Sequence, residues 1–369
     1  MIYLDANATM PMKPAVRAAI GEAMERHGNP SSVHRYGRIA RRYVEEARAS
    51  VAALVGAKPA EVIFTSGGTE ANNLILSNYT SVITSAIEHD SVLAFSVPEN
   101  RLPVTPDGVV DLAAAEEMLK KAPRGSLVSV MLVNNETGVI QPVAELAALA
   151  KKYGHDVHTD AVQAAGRLPI DFVALGVDAL TVSAHKIGGS QGMGALVVKE
   201  SIALKPLIIG GGQERNRRAG TENVPAIVGF GTAAQLAADD LRDMPRLTIL
   251  RDALQNRLGE LGGDDVLVVG ANSPRIANTL SFVLRGISGE TQVAAMDLAG
   301  IAVSAGSACS SGKVKASHVL RAMGYEDEVA GCALRISLGW HTQTQEIDRC
   351  IEAWHGLYRR TAAHKNKAA

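Results

Sequence analysis

Short apolar runs and longer stretches with helical spacing alternate along this chain as far as Gly231. A helix-like stretch from Arg38 to Leu54 leads into the run Glu61 to Phe64, followed by a glycine turn and a second helical stretch from Thr69. Further runs fall at Ser81 to Ile87, Leu127 to Val133, Asp156 to His158, Ala179 to Ser183 and Ala195 to Val198, with helical spacing over Val143 to Tyr153. This rhythm predicts βαβ units, and so an α/β fold with a mostly parallel, doubly wound sheet covered by helices. Binding sites in such sheets lie at the carboxyl ends of the strands. Beyond Gly231 the pattern changes to a long helix over Thr232 to Leu261, a turn at Gly262 to Asp265, and then the segments LSFVLRG, VAAMDLAGIAVSAG and LRISLGW. These read as a smaller α/β unit. The expected division is a large domain over 13–243 and a small domain built from 1–12 and 244–369, with RRTAAHKNKAA as a frayed helix end.

Composition narrows the classes. The 369 residues are 47% hydrophobic and 20% charged, ordinary for a globular protein, and the formal net charge of -1 leaves no basic footprint for nucleic acid. The start MIYLDANAT has no signal-peptide pattern, and no unbroken apolar run is long enough to span a bilayer. A cytoplasmic protein with no membrane partner is expected. Three scattered cysteines, Cys309, Cys332 and Cys350, make neither a disulfide framework nor a CxxC metal site.

The strand ends carry the chemistry. In SAHKIGGS, Lys186 follows a strand with Ser183 and His185 beside it and glycines after it. One amine near hydroxyl, imidazole and backbone N–H donors is what a pyridoxal phosphate enzyme needs, although a lysine after a strand also serves as a solvated charge. TSGGTEANN places Gly68 and Thr69 at a helix start, suited to an anion or simply to a glycine turn with a cap. HTDAVQ puts Asp160 at a strand end, where a carboxylate can pair with a pyridinium nitrogen, and Gln163 within reach of a ring hydroxyl. The nearby His155, Asp156 and His158 suggest a metal instead, but alternate strand residues face opposite ways. His89 in EHDSV suits ring stacking or a structural role, and NNETG at Asn134 to Gly138 suits oxygen binding or a turn. Gly210 to Pro225 reads as a flexible, arginine-bearing loop. Cys309 sits in SAGSACSSGKVK with Lys313 and Lys315 close by, a setting that favours a thiolate.

Taken in order, LDANAT, NPSSVHRYG, TSGGTEANN, EHDSV, NNETGVIQP, HTDAVQAAGRLPID, SAHK, GGGQERNRRAGTENVP, SAGSACSSG and LRISLGW cover nearly the whole chain. The chain resembles the cysteine desulfurases of the NifS/IscS type, within the fold-type I, class V aminotransferase superfamily. The resemblance implies a homodimer that binds pyridoxal 5'-phosphate and takes sulfur from L-cysteine, leaving L-alanine and a persulfide on Cys309. By the same resemblance Lys186 is the Schiff-base lysine, Asp160 the partner of the ring nitrogen, Gln163 of the ring oxygen, and His89 the stacking acid/base. Gly68, Thr69, Ser183 and His185 bind the phosphate, Thr221 reaches the phosphate of the neighbouring subunit, and Asn135 and Arg335 hold the substrate carboxylate. Cys309 then passes its sulfur to an acceptor such as an iron–sulfur scaffold protein, and would ligate iron only transiently, through its persulfide. Gly188, Ser190, Gln191 and Trp340 depart from the residues more frequent in the family, and the chain lacks the longer C-terminal extension with which some relatives dock a scaffold. The alternative is a class V aminotransferase or selenocysteine lyase acting on another amino acid.

Overall fold

The computed structural model describes residues 1–306 and 316–368, with side chains as far as residue 361. After a two-residue strand, β1 (Ile2–Tyr3), the chain lays down β2 (Val62–Thr65), β3 (Val82–Ser85), β4 (Arg101–Leu102), β5 (Leu127–Ser129), β6 (Asp156–Asp160), β7 (Ala179–Ser183) and β8 (Gly194–Val198). These seven form one sheet in the order β2-β8-β7-β6-β5-β3-β4. The pairs from β7 through β6, β5 and β3 to β4 are parallel, while β8 runs antiparallel to both β7 and β2. The strands β5, β7 and β8 are buried at every position, which is why they read as unbroken apolar runs rather than alternating ones. Helices such as Val143–Lys152 cover the faces. The sheet is mostly parallel, as its rhythm predicts.

Gly194 is required where β8 passes β2, because a Cβ there would lie 2.6 Å from the Gly67 backbone.

The second sheet is antiparallel, in the order β12 (Ser304–Ala305), β13 (Ala333–Ser337), β10 (Thr279–Leu284), β9 (Val266–Val268). The N-terminus joins this end of the molecule: β1 pairs in parallel with β11 (Ile301–Ala302), and Asp5 bridges to Ser337. One helix, Val224–Gly262, serves both halves. Its residues Ala226, Ile227, Phe230, Ala233 and Ala234 pack with the core of the large sheet, and Leu247, Leu250, Leu254 and Leu258 with the core around Phe282 and Trp354. It begins eight residues before the predicted Thr232, because Pro225 falls in its first turn and the Asn223 side chain caps the Ala226 amide at 3.3 Å. Proline reads as a breaker in a linear pattern but is tolerated in a first turn, where its missing N–H has no partner to lose.

The Gly210 to Pro225 loop is more tightly built than its sequence suggests. Glu214, Arg215 and Asn216 all have positive φ (45°, 56° and 62°), a strained left-handed turn for side-chain-bearing residues. A buried ion pair holds it: Glu214 accepts from Arg48 at 2.6 and 2.9 Å and from the Phe64 amide at 3.0 Å. Arg218 adds a bidentate contact to Glu70 at 2.9 and 3.2 Å.

Candidate active site

The carboxyl ends of β2, β3, β5, β6 and β7 open into a cavity of about 280 Å³, closed on its other side by Asn7, Ala8 and Arg335. Gly68, Thr69, His89, Asn135, Asp160, Gln163, Ser183, His185, Lys186 and Arg335, ten residues singled out from the sequence, line it together. Asp160 and Ser183 end their strands, and Lys186 closes the short turn Ala184–Lys186 after β7. Gly68 is the first residue of the helix Gly68–Leu76, one position earlier than the sequence pattern places it, so Thr69 lies within the first turn. The opening amides of that helix therefore point toward anions that enter the cavity.

Several partners of these residues carry no signature of their own. The Lys186 Nζ donates to the carbonyl oxygens of Asn7 (2.6 Å) and Ala8 (2.8 Å), so the N-terminal segment meets the amine directly. Asn7 itself is buried and tied to both halves, donating to Thr279 Oγ1 at 2.9 Å and to the Asn135 carbonyl at 3.2 Å. The Asp160 carboxylate accepts from Asn72 Nδ2 at 2.8 Å and from the Val162 amide at 2.9 Å. Asn72 also donates to Ser91 Oγ, which lies 2.8 Å from His89 Nδ1. The Ser91 amide donates to that same nitrogen at 3.1 Å, so a neutral His89 carries its proton on Nε2. Arg335 donates to the Asn135 carbonyl at 3.0 Å and to Asp5 Oδ1 at 2.8 Å, and its buried Nε has no acceptor among the described residues.

Burial, then the charges of Lys186 and Arg167, push the His185 imidazole down to about 4, so it is neutral near pH 7. Two buried carboxyls flank the site. Burial pushes Glu88 up to about 8 against the opposing hydrogen bonds from Ser85 and the Met131 amide, and pushes Glu136 up to about 7 against Ser317 and Arg335. Glu88 is therefore largely protonated at pH 7, where Glu136 is close to half protonated.

The residues around the suspected metal cluster separate. His158 is buried in the sheet between Ser129 Oγ (2.8 Å) and Thr181 Oγ1 (3.0 Å), His155 meets the Leu119 carbonyl, and Asp156 accepts from Tyr79, while only Asp160 lines the cavity. Among the described residues no group of three or more such side chains could hold a metal ion. Thr221 is exposed and lines a different recess with Ser66, Glu214 and Arg218. Cys309, Lys313 and Lys315 lie outside the described residues. Gly188 takes φ +80° beside Lys13, which explains a glycine at that position.

Residues 2–350 match the family described as aminotransferase class-V. The chain belongs to that family. It is similar to an IscS-like cysteine desulfurase of Mycobacterium tuberculosis, 41% identical over 98% of this chain and 97% of the relative. Among solved structures, a NifS-like protein from Rickettsia africae superposes with a TM-score of 0.91 at 38% identity, covering 97% of this chain and 99% of that one. A structure described as SspA in complex with cysteine aligns at 28% identity and a TM-score of 0.77, covering 92% of this chain and 99% of that one. Within the class-V family the chain therefore groups with the NifS/IscS-type cysteine desulfurases. Among the described residues no helix is long and apolar enough to cross a membrane.

Proposed function

We propose that this protein is a pyridoxal phosphate-dependent cysteine desulfurase, a sulfurtransferase that leaves L-alanine and a persulfide on Cys309. The observation that carries the reading is the meeting of Lys186, Asp160 and Arg335 on one cavity. The donor set fits the cofactor. The amides of Gly68 and Thr69, the Thr69 and Ser183 hydroxyls and a neutral His185 suit a phosphate; the buried Asp160 carboxylate suits a pyridine nitrogen; and the Arg335 guanidinium is a cationic donor on the cavity wall suited to a carboxylate. Bound pyridoxal phosphate supplies an aldehyde for amines and an electron-withdrawing ring that takes up charge from Cα.

The chain's own residues do the rest. Asp160, held by Asn72 and the Val162 amide, keeps a proton on the ring nitrogen. His89, whose Nδ1 accepts from the Ser91 amide, lines the same cavity and would stack on the ring. Arg335 and Asn135 would orient the L-cysteine carboxylate, and the Lys186 amine would accept the Cα proton. The Cys309 thiolate attacks the substrate sulfur: a sulfur–sulfur bond forms, the carbon–sulfur bond breaks, and its electron pair stays with carbon. Protonation of that carbon, return of the proton held by Lys186 to Cα, and release of the product give L-alanine. The persulfide then passes to an acceptor protein such as an iron–sulfur scaffold, in the cytoplasm. We take the working unit to be a homodimer in which Thr221 of one subunit completes the phosphate site of the other.

Mass spectrometry after incubation with pyridoxal phosphate and L-cysteine tests the reading, with one added sulfur expected on Cys309 and stoichiometric alanine in solution. Cys309→Ala should still bind L-cysteine, with a visible absorbance change, yet turn over almost none. Turnover at the unaltered rate would favour the aminotransferase alternative.

A further inference from the structure

Gln163 lines the cavity, but its amide is oriented from behind by a residue that does not. Arg167 NH1 donates both to the Gln163 backbone carbonyl, at 3.0 Å, and to the Gln163 Oε1. On the other side Gln163 Nε2 donates to the Asn7 carbonyl at 3.0 Å. A guanidinium is only a donor and a carbonyl only an acceptor, so the two contacts agree on one amide orientation, oxygen toward Arg167 and NH2 toward Asn7. The second hydrogen of that NH2 has no partner among the described residues.

Arg167 is itself unusual. It is 4% exposed; among the described residues its Nε has no acceptor, its remaining contacts are to the Ala6 and Lys186 carbonyls at 3.4 and 3.5 Å, and no carboxylate forms an ion pair with it. Burial pushes it down to about 10, still a cation at neutral pH. The charged groups facing it are Arg335, Lys186, and Asp240, which is neutralised by Lys13 at 2.6 Å; His185 is neutral. A buried cation without a counter-ion is costly unless something anionic comes near.

We propose that Arg167 is a positioning residue: it locks the Gln163 amide so that its NH2 donates to the ring hydroxyl oxygen of pyridoxal phosphate, and thereby sets the protonation of the bound cofactor. This deepens, and rests on, the cofactor assignment made above. A donor at that oxygen favours the deprotonated, more negative form, so losing it moves the pH midpoint of the bound cofactor's visible absorbance upward. A hydrogen bond to a charged oxygen corresponds to a shift of about one pH unit.

The experiment is an absorbance titration of the protein loaded with pyridoxal phosphate, in a double-mutant cycle. Gln163→Leu and Arg167→Met should each raise the midpoint by about one unit, and the double variant by little more than either. Arg167→Lys keeps the charge and most of the volume, so it should fold even if Arg167→Met does not. It is expected to raise the midpoint by less than Arg167→Met in the unaltered background, and not at all when combined with Gln163→Leu, since its only route is through the amide. Shifts that add, or an unmoved midpoint in Arg167→Lys and any folded Arg167→Met, overturn the proposal. Absence of a borohydride-fixed cofactor adduct on Lys186 of the unaltered protein is a separate result, and overturns the cofactor assignment itself.

Discussion

Arg335 donates to the Asp5 carboxylate at 2.8 Å, so the residue that would receive the substrate's carboxylate is held by the first few residues of the chain. The pair is buried on the arginine side, with the Arg335 side chain 2% exposed. Asp5 occupies one terminal nitrogen and the Asn135 carbonyl the other, and the guanidinium held in this way lines the cavity.

Two substitutions follow from that geometry. Arg335→Lys removes the planar fork and should lower kcat/KM for L-cysteine about 100-fold, whereas Asp5→Ala should raise KM about tenfold with a smaller change in kcat. Steady-state alanine production measures both. An unchanged KM in Arg335→Lys would mean that the substrate carboxylate binds elsewhere.

Glu88 gives a pH-dependent stability whose direction can be worked out. Its folded value of about 8 lies above the ordinary 4.5, so the native state favours the proton; the contribution is full below 4.5 and is lost as pH rises through 8. Glu136 acts the same way up to about 7, while His158, pushed down to about 3 by burial, gains stability as pH rises from there to 6.5. Glu88→Gln mimics the protonated form and removes only the first of these. Relative to the unaltered protein it should gain on the order of 3 kcal/mol between pH 5 and pH 8, read from urea unfolding at several pH values. A difference that stays flat with pH would show that Glu88 ionises normally.

Thr221 supplies a test of assembly, because it lies in a recess with Glu214 and Arg218 rather than in the Lys186 cavity. If it completes a partner's site, mixing Lys186→Ala with Thr221→Ala subunits places both defects in one site of each heterodimer and leaves the other unaltered. Activity should rise well above that of either parent, toward half the unaltered value per heterodimer. No recovery, with exchange of subunits verified by mass, would place Thr221 in its own chain's site or in none.

The strand and helix rhythm was legible in the linear pattern because the strands of a sheet covered on both faces are buried throughout, as β5, β7 and β8 are. Chemistry confined to one short segment was legible too: Lys186 after β7, Asp160 at the end of β6, and Gly68 with Thr69 at a helix start are each local arrangements of strand end and turn. Only the tertiary structure decided which groups support them. Asn7 and Ala8 reach Lys186 from 178 to 179 positions away, Asn72 reaches Asp160 from 88, Asp5 reaches Arg335 from 330, and Glu214 reaches Arg48 from 166. Contacts of that kind leave no periodicity to read, because a backbone carbonyl accepts from whatever donor folding brings to it and a single asparagine looks alike in a turn and in a core. The amide of Gln163 was one such case: its spacing after Asp160 suggested reach toward a ring oxygen, but which way it faces was decided when Arg167 and the Asn7 carbonyl closed on either side of it.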